Sequence, residues 1–298
     1  MQTTFPQLLL THAAQRPTAP AMREKEYGIW QTISWQDMAT MVTHMACGLH
    51  QAGLKRGEHM VVVGSNRPRL YATMLAAQSL GAIPIPLYQD AAAAECVFPL
   101  TNAEVRLCVV EDQEQVDKML EVREAYAALE RIYFDDPRGL RKYDEPGLGS
   151  VDELLAAGAA FAKQHPNFYK EQVEIGTKDD VAAMFFTSGT TGNPKGVVHT
   201  HGTLIDRAQA GAEFDHLTAN EDVLAYLPPA WIGQNIFSYA QWLVAGYVVN
   251  CPESSATVMI DLKEIGPTYY FATSGCPHTS AMYTRVTSRR VSASTKKS

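Results

Sequence analysis

The stretch from residue 185 to residue 202, FFTSGTTGNPKGVVHTHG, has the residue types that best suit phosphate chemistry in this sequence. Its glycines allow the backbone to approach a ligand closely and to adopt positive φ, and successive amides can form an anion-binding concavity. Donor side chains are spaced along it, at Thr187, Ser188, Thr190, Thr191 and Lys195. One interpretation is a cradle for a phosphate chain, and the other is a flexible hairpin that turns at Asn193-Pro194.

The loop departs from the P-loop pattern GxxxxGK[ST] in two places. Counted from Gly189, Pro194 stands at the second glycine, and Gly196 stands where Ser or Thr should follow the lysine. The loop also leads into GVVH, a strand pattern, so no helix N-terminus would lie against the phosphates. A Walker-type NTPase is therefore disfavoured, whereas phosphate binding as such is not.

The elements that must position this loop alternate between strands and helices. Strand patterns lie at residues 59–65, 83–87, 105–110, 131–134, 181–186, 196–199, 222–227, 247–250 and 268–272. Helical patterns lie at about 5–16, 66–80, 112–128, 201–214, 231–245 and 261–265. This alternation predicts an α/β fold with parallel sheets covered by helices. The segment 135–150, rich in Pro, Gly and charge, predicts a surface loop.

Composition narrows the class of protein. A chain of 298 residues, 46% hydrophobic, is long enough for about two globular domains. The net charge of -7 and a pI near 5.7 give no electrostatic footprint for nucleic acid. Five scattered cysteines without a CxxC pair indicate free thiols in a reducing compartment and no zinc site. Because the N-terminus also lacks the pattern of a signal peptide, we expect a cytoplasmic protein.

One segment has to be tested as a membrane span. Residues 70–88, LYATMLAAQSLGAIPIPLY, contain no charge, and a spanning helix needs about 20 mostly apolar residues. Gly81, Pro84 and Pro86 interrupt the run, and proline both removes an amide donor and clashes with the preceding turn. The segment therefore predicts a buried helix to about Leu80 followed by a short strand, with at most peripheral membrane association.

Three segments together resemble one enzyme superfamily. TSGTTGNPKG resembles the signature loop of the AMP-forming adenylating enzymes, which include acyl-CoA synthetases, luciferases and adenylation domains of nonribosomal peptide synthesis. LAAQSLGAIPIPLY (75–88) and YLPPAWIGQ (226–234) are similar to its flanking motifs, and AWIGQN is most similar to bacterial long-chain fatty-acid–CoA ligases. The resemblance covers about residues 5–272. It implies the stacked, helix-covered sheets of the N-terminal AMP-binding domain, incomplete at the C-terminal end, with subdomains at about 1–175 and 176–272.

The resemblance also implies a reaction and a site. A fatty-acid carboxylate would attack the α-phosphate of ATP, with Mg²⁺, and the thiol of CoA would then attack the acyl-adenylate. The residues implied to bind the phosphates are Thr187, Ser188, Gly189, Thr190, Thr191, Gly192 and Lys195, with Lys195 stabilising charge during catalysis. Trp231 would lie beside the acyl substrate, or else be an ordinary core tryptophan. His201 would orient the helix or line the acyl pocket, or else be a structural histidine.

Other motifs of the superfamily have no match here. These are the Thr-Glu pair that serves phosphate and magnesium, the aspartate that binds ribose, and the C-terminal catalytic lysine. From residue 273 the chain holds 11 Ser/Thr, five Lys/Arg and no acid, which predicts a disordered basic tail over 273–298. An out-of-frame translation would explain it, and a genuine short protein with a basic tail is the alternative.

Two functions follow from these observations. The first is the N-terminal part of an ATP-dependent long-chain fatty-acid–CoA ligase, inactive without the missing motifs. The second is a non-catalytic nucleotide- or acyl-binding protein, or a subunit that depends on a partner chain.

Overall fold

The computed structural model of the protein describes residues 3–187 and 194–271. Up to residue 187 the elements are α1 (Phe5–Gln15), β1 (Pro20–Glu26), β2 (Ile29–Ser34), α2 (Trp35–Gln51), β3 (His59–Val63), α3 (Pro68–Ser79), β4 (Ile83–Leu87), α4 (Ala93–Asn102), β5 (Leu107–Val110), α5 (Gln113–Ala125), β6 (Arg131–Phe134), β7 (Leu148–Ser150), α6 (Val151–Gln164), α7 (Phe168–Ile175) and β8 (Val181–Thr187). From residue 194 they are β9 (Lys195–Thr200), α8 (His201–Phe214), β10 (Asp222–Leu224), α9 (Ile232–Gln234), a π-helix (Asn235–Ala240), α10 (Gln241–Ala245), β11 (Val248–Cys251) and α11 (Val258–Ile265).

The first sheet has five strands in the order β4-β3-β5-β6-β7, all parallel. Successive side chains of a strand point to opposite faces, and here both faces are buried. Met60 and Val62 of β3 lie in one hydrophobic cluster, and Val61 and Val63 lie in another. The predicted fold class, parallel strands covered by helices, is therefore confirmed.

The second sheet joins strands that are far apart in the sequence. Its order is β10-β11-β1-β2, with β10, β11 and β1 parallel and β2 antiparallel to β1. Met22 of β1 pairs with Val249 of β11. Segments on both sides of residue 175 thus share one sheet, and the predicted subdomain boundary stays a prediction.

A hairpin of β8 and β9 lies beside the first sheet, with β8 next to β4. The two strands are antiparallel, and their register places Phe185 opposite Val197 and Thr187 opposite Lys195. Phe186 packs edge-on against Phe98 at 6.5 Å between ring centroids, which fastens the hairpin to α4. These contacts hold the hairpin in place beside the first sheet.

Capping residues define where several helices begin. Ser34 and Asp37 form a capping box at the start of α2, and Ser150 with Glu153 does the same for α6. These two helices then approach unusually closely. A Cβ on Gly158 would lie 1.7 Å from the carbonyl oxygen of His44, so only glycine fits at this contact.

The structure differs from the sequence predictions in three places. The predicted strand at 268–272 is wrong for the described residues, because only Tyr269 forms a bridge, to Val223. The aromatic side chains of this segment pack on residues 226–237 instead of extending the sheet. The predicted loop 135–150 ends in a short strand, β7, and the predicted helix 231–245 contains the π-helix.

Some predictions lie outside the described residues, and some elements had no prediction. Ser188, Gly189, Thr190, Thr191 and Gly192 of the predicted phosphate loop lie outside them, as does the tail 273–298. The elements without a prediction are β1, β2, α2, α4, α6 and α7. The four described cysteines are buried free thiols, as expected: Cys47, Cys96, Cys108 and Cys251.

Candidate functional site

The carboxyl ends of strands from both sheets meet at one junction. After β3, the side-chain amide of Asn66 donates a hydrogen bond of 2.8 Å to the carbonyl oxygen of Leu227, which follows β10. The guanidinium of Arg67 donates to the carbonyl oxygens of Pro252, at 3.0 Å, and Glu253, at 2.6 Å, after β11. Ligands of open α/β sheets bind outside the carboxyl ends of the strands, so this junction is the expected region for a site.

Glu111, at the carboxyl end of β5, organises the loop that carries these two residues. It accepts hydrogen bonds from the backbone amide of Ser65 at 2.5 Å and from Nε of Arg67 at 3.0 Å. Gly64 precedes them with a φ of +159°, and a Cβ there would lie 2.7 Å from the Cβ of Glu111. The ion pair therefore fixes the loop between β3 and α3 against the next strand of the sheet.

A buried polar network supports the segment that follows β10. Asn66 Oδ1 accepts from the hydroxyl of Tyr71 at 2.9 Å and from Nε2 of Gln234 at 3.0 Å. Burial raises the pKa of Tyr71, so its hydroxyl stays a protonated donor. Each buried polar group of this network has a partner, which favours one fixed arrangement of the segment 227–234.

An aromatic cluster lies at the end of this segment. The ring of Trp231 lies 5.8 Å from that of Phe271, and Phe237 stacks on Phe271 at 3.9 Å between centroids. Trp231 is half-buried. A Cβ on Gly233 would lie 2.2 Å from the Trp231 ring, so this glycine leaves room for the indole. The arrangement forms a partly exposed apolar wall at the carboxyl edge.

A six-residue π-helix, Asn235–Ala240, follows this segment directly. π-helices, with i→i+5 hydrogen bonds, are rare, and π-bulges are frequent at functional sites. Asn235 at its start donates from its side-chain amide to the carbonyl oxygen of Pro229. Gln234 and Asn235 are therefore bound to the protein itself, as supports of the Trp231 segment.

Thr187 and Lys195 lie opposite each other at the open end of the β8–β9 hairpin. Both are exposed. The Thr187 hydroxyl lies 3.5 Å from the carbonyl oxygen of Lys195, at the limit of a hydrogen bond. Within the described part of the chain, no hydrogen bond or ion pair engages the Lys195 ammonium. The role of these two residues in binding phosphate stays a prediction, as does that of the loop between them.

His201 is buried between α1 and α8. Only 2% of its surface is exposed, and its Nδ1 accepts a hydrogen bond of 3.3 Å from the backbone amide of Phe5, whose ring packs edge-on against it. Burial lowers its pKa from 6.5 to about 4, so the ring is neutral. These contacts attach α1 to α8, and a place for His201 in an acyl pocket stays a prediction.

Sequence reasoning missed the residues of the junction itself: Asn66, Arg67, Tyr71 and Glu111. One pattern in the sequence could have indicated these residues. The polar stretch SNRP directly follows a buried apolar strand, and polar residues in that position lie at the carboxyl edge of a sheet. Asn66 and Tyr71 lie 5 residues apart, but their other partners and those of Arg67 and Glu111 are 44 to 186 residues away. Such pairings could not be deduced from local pattern.

The described residues contain no group of three or more His, Cys, Asp or Glu side chains that could hold a metal ion. Nor does the described part of the chain include a helix long and apolar enough to cross a membrane. The helix in the apolar run 70–88 ends at Ser79, and β4 begins at Ile83, as the sequence predicted.

Comparison with known proteins decides the family. Residues 9–279 match the AMP-binding enzyme family. The chain belongs to that family. The resemblance noted in three sequence motifs is thereby confirmed over most of the chain.

Curated relatives of this AMP-binding protein include fatty-acid ligases. It is 26% identical over 272 residues to the long-chain-fatty-acid–CoA ligase ACSBG2 of Homo sapiens, covering 90% of this chain and 40% of that protein. It is 27% identical over 208 residues to fatty acyl-CoA synthetase A of Dictyostelium discoideum, covering 68% of this chain and 30% of that protein. The chain thus spans less than half the length of these two relatives.

Solved structures share the fold. The anthranilate CoA ligase AuaEII, in complex with anthranoyl-AMP, matches with a TM-score of 0.78 at 16% identity, over 91% of this chain and 50% of that one. Acetoacetyl-CoA synthetase from Streptomyces lividans matches with a TM-score of 0.75 at 20% identity, over 90% and 42%. The helix-covered sheets are therefore those of adenylating enzymes.

Proposed function

We propose that this chain forms the nucleotide- and acyl-binding part of an ATP-dependent long-chain fatty-acid–CoA ligase. The observation that carries the proposal is the family match over residues 9–279 together with relatives named as long-chain fatty-acid ligases. The structure supports it with an exposed lysine at the end of the β8–β9 hairpin and an aromatic wall at the carboxyl edge of the second sheet.

The hairpin would bind the phosphate chain of ATP. Thr187 and Lys195 face each other across its open end, the sequence between them is rich in glycine, and successive amides of such a sequence can form an anion-binding concavity. The Lys195 ammonium is exposed and can meet a phosphate oxygen as a point charge. In the proposed reaction it would stabilise the negative charge that develops on pyrophosphate as it leaves.

The first step would join the fatty acid to AMP. A carboxylate oxygen attacks the α-phosphorus, the bond from that phosphorus to the bridging oxygen breaks, and pyrophosphate departs with the electron pair. The second step transfers the acyl group to the sulfur of CoA and releases AMP. Positioning and charge stabilisation dominate phosphoryl-transfer chemistry. The described residues contain no group of three or more His, Cys, Asp or Glu side chains that could hold magnesium.

The acyl chain would contact the wall formed by Trp231, Phe237 and Phe271. Burial of each methylene of a long chain is worth about 0.8 kcal/mol, so a partly exposed aromatic surface suits a fatty acid better than a small polar acid. The Asn66 network behind Trp231 would keep this wall in place while a substrate enters.

We propose further that the 298 residues bind substrates without completing the reaction. The Thr-Glu, ribose-binding Asp and catalytic Lys motifs that the resemblance requires have no match in the sequence. Acyl-CoA formed by the purified chain from fatty acid, ATP and CoA would contradict this part of the proposal.

A partner-dependent subunit is the second candidate, and β9 favours it. Val197 and Val198 are adjacent residues on opposite faces of this strand, and both are exposed. Among the described strands, β9 pairs with β8 alone. A strand with apolar residues on both faces and an open edge is a site for further polypeptide, which a partner chain could supply.

Titration with MgATP tests the binding proposal. We expect the chain to bind MgATP, and Lys195→Met to weaken binding on the order of tenfold, because a phosphate loses a charge-assisted contact. The matched control is Lys163→Met, which removes an exposed lysine from the end of α6 and should bind like the wild type. No binding by the wild type, or equal binding by Lys195→Met, would contradict the proposal.

A further inference from the structure

The β1–β2 hairpin projects beyond the carboxyl edge of the second sheet. The register of β1 with β11 ends at the pair Glu24 and Cys251, and β1 continues to Glu26 before the chain turns. At about 3.3 Å per residue, the tip lies about 10 Å past the end of β11. Because β1 runs parallel to β11 and β10, this is the edge at which the Trp231 segment leaves β10.

The tip of this hairpin is apolar and exposed. Tyr27 is 73% exposed and Ile29 is 62% exposed. Tyr27 and Gly28 form a two-residue turn with φ of 49° and 75°. A turn with positive φ at both residues favours Asn or Gly at the first position. The turn itself therefore does not favour a tyrosine at this position.

The projecting hairpin is held rigidly by charged contacts from α11. Lys25 binds Asp261 at 2.9 Å and Glu264 at 2.7 Å, and the Trp30 indole donates to Glu264 at 3.0 Å. The amide of Gly28 donates to the Glu253 carboxylate at 3.2 Å. The tip is thus fixed in its exposed position before any partner arrives.

The charges beside the tip are mainly negative. Glu26 belongs to the hairpin, and Glu253 and Glu264 bind it from the segment after β11 and from α11. The cations near the tip include Lys25, Arg67 and Arg138, and each is already paired with a carboxylate. An anionic surface would be repelled by this rim, whereas an electroneutral one would not.

We propose that Tyr27 and Ile29 insert into the interface of a zwitterionic lipid bilayer. A tyrosine with an apolar ring and a polar hydroxyl suits the boundary between headgroups and acyl chains. This attachment would turn the carboxyl edge, with Trp231, toward the membrane. Passage of a fatty acid from the bilayer to the site rests on the proposed function. The membrane contact itself does not.

Sedimentation with phosphatidylcholine vesicles tests the proposal on the full 298-residue chain. We expect the wild type to bind these vesicles and the double variant Tyr27→Ser/Ile29→Ser to bind them on the order of tenfold more weakly. Vesicles that contain phosphatidylserine should bind less of the wild-type protein at low salt. The matched control is Phe214→Ser, which removes an aromatic residue that is 84% exposed elsewhere on the surface. It should bind vesicles like the wild type.

A second variant separates binding from folding. Tyr27→Asn suits the turn better than tyrosine, so it should melt at the same or a higher temperature and still bind vesicles more weakly. Equal binding by wild type and Tyr27→Asn, or an equal loss in Phe214→Ser, would overturn the proposal. The proposal would also be overturned if the wild type forms a dimer that binds no vesicles while the double variant is a monomer. The tip would then contact a second copy of this chain. MgATP binding is measured separately, so failure here leaves the proposed function untouched.

Discussion

Asn66 and Leu227 connect the first and second sheets of this AMP-binding protein through a hydrogen bond of 2.8 Å from a side-chain amide to a backbone carbonyl. Asn66 follows β3 of the first sheet, and Leu227 follows β10 of the second. The same asparagine accepts hydrogen bonds from Tyr71 and Gln234. One buried residue thus ties the parallel sheet to the segment that carries Trp231.

Replacement of this residue by Asn66→Ala should destabilise the protein by about 2–3 kcal/mol, because Leu227 and Gln234 lose a buried hydrogen-bond partner. Urea unfolding measures the change in the free energy of unfolding. The exposed Asn220→Ala serves as control and should change stability by less than about 0.5 kcal/mol. Equal effects of the two substitutions would show that the network contributes no more than a surface asparagine.

The variant Gly233→Ala should impair acyl binding more than nucleotide binding. Its new Cβ would lie 2.2 Å from the Trp231 ring, which must move away from Phe271. We expect affinity for a long-chain acyl-adenylate analogue to fall on the order of tenfold, with MgATP affinity unchanged. Gly176→Ala, whose Cβ would have 3.4 Å of clearance, is the control. Parallel loss of both affinities would argue against an acyl role for Trp231.

His201 should make stability depend on pH in the acid range. Its folded pKa, about 4, lies below its usual value of 6.5 because of burial, so the unfolded chain binds the proton more readily. The neutral His201 ring therefore contributes fully to the free energy of unfolding above pH 6.5. About 3 kcal/mol of this free energy is lost as the pH falls toward 4. His201→Gln keeps an acceptor for the Phe5 amide without a titrating ring. Its unfolding free energy should fall less steeply between pH 7 and 4.5, and identical slopes would contradict this assignment.

The close contact of α2 and α6 predicts a large cost for Gly158→Ala. The added methyl would lie 1.7 Å from the carbonyl oxygen of His44, a backbone atom that cannot move alone. We expect a loss of about 3 kcal/mol in chemical denaturation, as for overpacked cores. Gly211→Ala should cost less, because its nearest obstacle is the end of the Gln241 side chain at 2.6 Å.

Local pattern predicted the parts of the fold that are strongly periodic. The strand Ile83–Leu87 and the helix His201–Phe214 were predicted with the bounds found in the structure, because an apolar run or a helical spacing is complete within each segment. β1 and β2 were not predicted, since Pro20–Glu26 is rich in charged residues and becomes a strand through its pairing with β11. Tertiary contacts there override local propensity.

The residues of the candidate site likewise differ in whether local sequence pattern could predict them. Trp231 was predicted from a motif that is contiguous in sequence, and its role stays a prediction. Asn66, Arg67 and Glu111 act through partners distant in the chain. His201 was left between two roles by its sequence, and the structure shows its contact with Phe5. Distant pairings of this kind depend on the packing of sheets and are not encoded in any short pattern.

The most direct test of the central claim is calorimetric titration of the chain with acyl-adenylate analogues of different length. The account predicts binding of a palmitoyl sulfamoyl adenosine on the order of a hundredfold tighter than of the acetyl analogue, since a long chain buries methylenes against the aromatic wall of Trp231. Affinities that do not depend on chain length, or no binding of either analogue, would contradict it.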